Sequence, residues 1–223
     1  NRLQMPGGAM HRYTYADMTA RAARLANALK KLGVEPGERV ATFGWNSYRH
    51  LETYFAIPCS GAVLHTLNIR LFPDDVSYIA NHAEDKVVIV DASLLPAFEK
   101  IAPQLKTVQQ YIVMADSPFE TTLPHALDYE TLLAESSPAF EWQRLDEQSA
   151  AAMCYTSGTT GKPKGCAYSH RALFLHALGA ASVDSLGISE RDVALQIVPM
   201  FHVFAWGVPF AATMVGAKQV FAG

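Results

Sequence analysis

Three cysteines, Cys59, Cys154 and Cys166, are all this chain has, with no CxxC spacing among them. That excludes a disulfide framework and predicts a reducing setting. Lysine and arginine form no block: 18 basic residues are scattered among 21 acidic ones for a net charge of -3. A nucleic-acid partner would leave a basic stripe, so that class is set aside. No apolar run reaches the ~18 residues of a spanning helix. The most apolar one late in the chain, "VFAWGVPFAATMVGA" at 203–217, is interrupted by Pro209 and preceded by His202. It reads as a buried helical segment, with membrane contact at most peripheral. The opening "NRLQMPGGAMHRYTYADM" lacks a basic start followed by an apolar core, which predicts no signal peptide there and a cytoplasmic protein.

What the chain does have is apolar mass. With 223 residues, half of them hydrophobic and only 17% charged, it is long enough to bury roughly 70% of its unfolded surface, and a globular fold follows.

Periodicity supplies the fold class. In "TYADMTARAARLANALKKLG", Met18, Ala22, Leu25, Leu29 and Leu32 recur at three- and four-residue steps, with Thr14 as N-cap, Asp17 in the first turn and Gly33 at the C-terminal end. A strand follows at 40–44, then a helix after Ser47 disturbed at Pro58, and a strand near 62–65. A capped helix from Asp74, the strand "KVVIVD" ending at Asp91 and the strand within "QQYIVMAD" repeat the alternation. Such alternation implies an α/β fold, a largely parallel sheet flanked by helices. Residues 117–149, rich in Pro, Thr, Glu and Ser, read as a surface excursion, so the predicted division is a first lobe over 1–149 and the start of a second over 150–223.

The chemistry concentrates in "YTSGTTGKPKG", Tyr155 to Gly165, between two extended segments. Glycines let backbone N–H groups approach an anion, hydroxyls add donors, and a lysine adds a compact positive charge. The loop suits a polyphosphate. It is not a Walker A loop: Gly158 and Gly161 are too close, Pro163 follows Lys162 where Ser or Thr is required, and a strand rather than a helix comes next. Cys154 and Cys166 flank it and would face each other if its arms pair; the favoured reading is two small buried hydrophobes.

"YTSGTTGKPKG" closely resembles the phosphate-loop motif of the adenylate-forming superfamily, which includes acyl-CoA synthetases, luciferases and peptide-synthetase adenylation domains. "GAVLHTLNIRL" at 61–71 and "VPMFHVFAWG" at 198–207 are similar to two further motifs of that family, in the same order. The wording "LNIRL…YIANHAED" and "YSHRALFLHAL" is most similar to medium- or long-chain fatty acyl-CoA synthetases. One departure is Cys166, where the family more often has valine.

The resemblance implies ATP, Mg2+ and coenzyme A, with a fatty acid as the carboxylic acid partner and no residue here spaced as a metal site. It implies that Thr156, Ser157, Gly158, Thr159, Thr160 and Gly161 wrap the β- and γ-phosphates and that Lys164, rather than Lys162, offsets charge on the leaving pyrophosphate. His202 alone would read as a core histidine; the motif around it places it at the carboxylate or adenylate end of the acyl site. Trp206 either walls that site or is a core aromatic. The family is more than twice as long as this chain, so the resemblance is to an amino-terminal portion, expected to be inactive alone. Two other readings stand beside it: a nucleotide-binding module without catalysis, and an adenylating enzyme for aryl or amino acids. Oligomeric state is open, a homodimer included.

Overall fold

The structure, a computed structural model, describes residues 11–156 and 161–221. Its nine strands and seven α-helices alternate along the described chain: α1 (Tyr15–Lys31), β1 (Arg39–Phe43), α2 (Tyr48–Cys59), β2 (Val63–Thr66), α3 (Pro73–Ala83), β3 (Asp85–Asp91), α4 (Leu95–Phe98), β4 (Gln110–Met114), β5 (Leu127–Asp128), α5 (Tyr129–Ala134), β6 (Ala150–Thr156), β7 (Lys164–Ser169), α6 (His170–Ala181), β8 (Val193–Gln196), α7 (Val208–Val215) and β9 (Lys218–Phe221).

Seven strands form one sheet in the order β5-β4-β3-β1-β2-β6-β7. Every neighbouring pair is parallel except the last, where β6 and β7 run antiparallel as a ribbon. Side chains alternate along each strand, so the Val/Ile-rich central strands feed two cores at once. Val40, Leu64, Val87, Ile89 and Ile112 pack with Leu25, Leu51 and Tyr129 of α1, α2 and α5. Ala41, Phe43, Val88, Val90 and Val113 pack with Val76, Ile79 and Phe98 of α3 and α4 on the opposite face. The α/β expectation, a mostly parallel sheet between helices, is the observed architecture.

Local signals set several boundaries. Thr14 caps α1 in a reciprocal box: its hydroxyl accepts from the Asp17 N–H at 3.1 Å and the Asp17 carboxylate accepts from the Thr14 N–H at 2.8 Å. Gly33 follows that helix at φ +79°, a conformation an L side chain resists. Helix α3 differs from expectation: it opens one residue earlier, with Pro73 in the first turn after Phe72 and no side-chain cap, while Asp74 and Asp75 face the positive helix end. Pro58 does not interrupt α2, because it falls in the last turn, where the chain leaves the helix one residue later.

Residues 117–149 are not all surface. The two-residue edge strand β5 and the six-residue α5 lie within them, and Tyr129 and Leu133 are fully buried against the sheet. Such short elements leave too few turns for a periodic signal. Beyond the 149/150 position, β6 and β7 extend the large sheet, and a separate parallel pair, β8 and β9, begins a second one.

Residues 203–217 depart furthest from expectation. Only α7 is a right-handed helix; Val203 to Trp206 have φ between +46° and +55° and Gly207 has φ +71°. A left-handed turn of four non-glycine residues costs on the order of 4 kcal/mol or more. Burial of Phe204 and Ala205 offsets it, with the Phe204 ring edge-on to Tyr54 at 6.2 Å and to Tyr168 at 5.6 Å.

Candidate functional site

The β6–β7 ribbon carries the glycine loop at its tip. Ser157, Gly158, Thr159 and Thr160 lie outside the described residues; Thr156, Gly161 and Lys164 lie within them. Thr156 pairs in register with Lys164 at the ribbon's end, and both are exposed. Gly161 has φ +133°, a backbone setting that requires glycine, with open space where a Cβ would stand.

The two lysines differ in surroundings. Lys162 Nζ sits 4.7 Å from the centre of the Tyr78 ring on α3, a cation–π contact. The Lys164 side chain makes no hydrogen bond or ion pair with a described residue.

The loop end of the ribbon is fixed from behind. The Tyr155 hydroxyl donates to Nδ1 of His82 on α3 at 2.6 Å, and burial, with Asp85 nearby, pushes that phenol up to about 12, so it keeps its proton at neutral pH. A Cβ on Gly165 would stand 3.1 Å from the Tyr155 ring, so glycine lets the phenol cross the ribbon. Beneath it, Nδ1 of His65 on β2 donates to the buried Asp85 carboxylate at 2.8 Å. Burial pushes that carboxyl up, and His65 draws it back down.

The 198–207 stretch packs against the same ribbon through Phe204 and Tyr168 and is tied to the ends of neighbouring elements. The Asn46 amide, between β1 and α2, donates to the Gln196 and Val198 carbonyls at 2.9 and 2.8 Å and accepts from the Met200 N–H at 2.7 Å. The buried Tyr54 hydroxyl donates to the Met200 carbonyl. Arg70, from the 61–71 stretch, stacks its guanidinium 5.7 Å from the Phe201 ring. The three stretches singled out in the sequence thus meet at one edge of the fold, with His202 exposed and Trp206 65% exposed there. Both side chains are exposed among the described residues.

Sequence reasoning missed the clamp on the left-handed turn. Nε2 of His176, on α6, donates to the Trp206 carbonyl at 3.0 Å. A Cβ on Gly207 would stand 2.6 Å from that same nitrogen, so residue 207 is glycine both for its φ and for the imidazole. Nothing near His176 in the sequence announces this, since its partner is 30 residues away. Buried His50 was missed as well. Nδ1 donates to the Trp45 carbonyl at 2.9 Å and Nε2 accepts from the Thr42 hydroxyl at 3.0 Å, which fixes a neutral ring; burial lowers its pKa to about 4.

A cavity of about 470 Å³ lies apart from this edge, lined by Arg12, Thr14, Met18, Leu51, Gln219 and Phe221 among others. None of its lining residues belongs to the loop or to the left-handed turn, and the candidate site is placed at the ribbon tip instead. Among the described residues, no three His, Cys, Asp or Glu side chains gather to hold a metal, and no helix is long and apolar enough to cross a membrane.

Chemically, the arrangement offers an anion a glycine- and hydroxyl-bearing turn with an uncommitted lysine at its root, next to an apolar turn that displays a histidine and a tryptophan. Comparison with known proteins identifies the family. Residues 4–223 match the family described as AMP-binding enzyme. The chain is 54% identical over 216 residues to a long-chain-fatty-acid–CoA ligase of Thermus thermophilus, covering 97% of this chain and 39% of that protein. It is 45% identical over 218 residues to a medium-chain-fatty-acid–CoA ligase of Ectopseudomonas oleovorans, covering 97% and 40%. A solved structure of the anthranilate CoA ligase AuaEII with anthranoyl-AMP superposes with a TM-score of 0.79 at 26% identity, over 99% of this chain and 41% of that one. The chain thus spans about 40% of the length of the curated relatives it matches. Its motifs, its mostly parallel sheet and its match over nearly the whole length place it in the AMP-binding enzyme family.

Proposed function

We propose that this chain supplies the phosphate-holding and acyl-end residues of an ATP-dependent fatty acyl-CoA synthetase. In that reaction a carboxylate attacks the α-phosphorus of ATP and expels pyrophosphate to leave an acyl-adenylate. The coenzyme A thiol then attacks the acyl carbon and releases AMP. Displacement at phosphorus needs positioning and charge neutralisation more than covalent help. Thr156, Ser157, Gly158, Thr159, Thr160 and Gly161 wrap the β- and γ-phosphates, and Lys164 offsets the charge that builds on pyrophosphate as it leaves. His202 and Trp206 face the carboxylate and the acyl chain from the left-handed turn. Mg2+ would accompany the nucleotide and offset charge on its phosphates, and Thr156 and the hydroxyls of the loop are the residues of this chain that would lie nearest to it.

The observation that carries this reading is the contrast at the tip of the ribbon: Lys164 stands opposite Thr156 with no side-chain partner among the described residues, whereas Lys162 leans on Tyr78. The relatives named for fatty-acid–CoA ligase activity support a fatty acid, and the neighbour holding anthranoyl-AMP supports an adenylate. A cytoplasmic setting, membrane contact that is at most peripheral, and a homodimer belong to the same proposal, as does a second lobe over 150–223; the separate β8–β9 sheet supports a second lobe, while β6 and β7 extend the first sheet.

The test is Lys164→Ala against Lys162→Ala in the full natural product, read as ATP–pyrophosphate exchange. Lys164→Ala should lose about 100-fold or more, the scale of one transition-state charge contact, and Lys162→Ala only a few-fold. Equal losses would reject the assignment.

A further inference from the structure

The two cysteines that flank the loop are register partners: Cys154 on β6 lies directly opposite Cys166 on β7. Directly opposed residues of an antiparallel pair have Cα atoms about 4.5–5.5 Å apart, inside the roughly 4.4–6.8 Å that a disulfide spans. Both are free thiols; Cys154 is buried and Cys166 half-buried. The pair lies at the root of the loop, two residues from Thr156 on one strand and two from Lys164 on the other. Cys154 packs in the same buried cluster as Phe204 of the left-handed turn, with Tyr168 against it.

We propose that Cys154 and Cys166 are a redox modification site, joined by peroxide into a disulfide that stiffens the root of the loop. The half-buried Cys166 sulfur attacks one peroxide oxygen and the O–O bond breaks, giving a sulfenic acid and water. The Cys154 sulfur then attacks the Cys166 sulfur; the S–O bond breaks and hydroxide leaves with the Cys154 proton as a second water. Two thiols and one hydrogen peroxide become one disulfide and two waters. Cys154 suits the second step, since burial and the neighbouring Cys166 hold its thiol above the ordinary range and keep it from reacting first.

The activity consequence rests on the acyl-CoA synthetase reading; the disulfide does not. The full natural product is treated with hydrogen peroxide, digested without reduction and mapped by mass spectrometry, while ATP–pyrophosphate exchange is followed in parallel. The expected result is a peptide linked through Cys154 and Cys166 and a fall in exchange of about fivefold, the factor that about 1 kcal/mol carries. Dithiothreitol should restore the rate, and Cys166→Val should neither link nor slow. Absence of the linked peptide, or an equal loss in Cys166→Val, overturns the proposal. A linked peptide with an unchanged rate overturns its regulatory half. A linked peptide in a protein that shows no exchange with any acid before oxidation leaves the site standing and removes the synthetase reading.

Discussion

His176 holds the backbone of Trp206: its Nε2–H donates to the Trp206 carbonyl at 3.0 Å and fills the space a side chain at residue 207 would need. One imidazole therefore supports the left-handed turn and restricts its last residue to glycine. The turn aims His202 and Trp206 outward, so the display of both depends on a residue 30 positions earlier in the chain.

That relationship predicts a coupled pair of substitutions. Gly207→Ala should destabilise by about 2–4 kcal/mol, from forcing alanine to φ +71° and from its clash with the ring. His176→Ala alone should cost about 1 kcal/mol, the loss of one hydrogen bond. The double variant should cost about 1 kcal/mol or more less than the sum, because the clash is gone. Urea unfolding of the four proteins measures the cycle, and strict additivity would remove the clamp.

Asn46 should matter more than an exposed-looking loop residue suggests. Its amide makes all three bonds that tie residues 196–200 to the end of β1, so Asn46→Ala leaves two carbonyls and one N–H without partners. A loss of about 2–3 kcal/mol is expected in chemical denaturation. A cost below about 0.5 kcal/mol would mean the segment is held elsewhere.

His50 predicts an acid-sensitive fold. Its folded pKa is depressed to about 4 by burial, against the ordinary 6.5, so between those values the unfolded chain binds a proton that the folded one does not. Stability from this site is fully present above about 6.5 and falls as the pH drops toward 4, by on the order of 3 kcal/mol. The sign opposes the buried Asp85, whose raised pKa favours the protonated fold at low pH, so the site must be isolated by difference. Subtracting the pH–stability curve of His50→Gln from that of the parent should leave a slope confined to the interval from about 4 to 6.5. A flat difference curve would show that His50 titrates normally.

Much of the frame was legible because its causes are local. The Thr14–Asp17 box, the three- and four-residue steps of α1 and the Val/Ile runs of β3 and β4 each carry their structure within a few residues. The facing of Cys154 and Cys166 was legible as a condition, met once β6 and β7 pair. The left-handed turn was not legible. In "VFAWG" only Gly207 favours positive φ, and the apolar pattern reads as a helix; contacts to Tyr54, Tyr168 and His176, all distant in sequence, decide otherwise. The Tyr155–His82 bond is hidden for the same reason, spanning 73 residues. Tyr129 and Leu133 were lost inside a polar stretch because a six-residue helix shows less than two turns of pattern.

The central claim is that this chain holds ATP for attack by a fatty carboxylate. Acid-dependent ATP–pyrophosphate exchange tests it most directly, run on the full natural product with short, medium and long fatty acids, aryl acids and amino acids. Exchange that appears with fatty acids and peaks at one chain length is the predicted result. Exchange only with aryl or amino acids would contradict the substrate class, and ATP binding without exchange for any acid would contradict the reaction and leave a nucleotide-binding module.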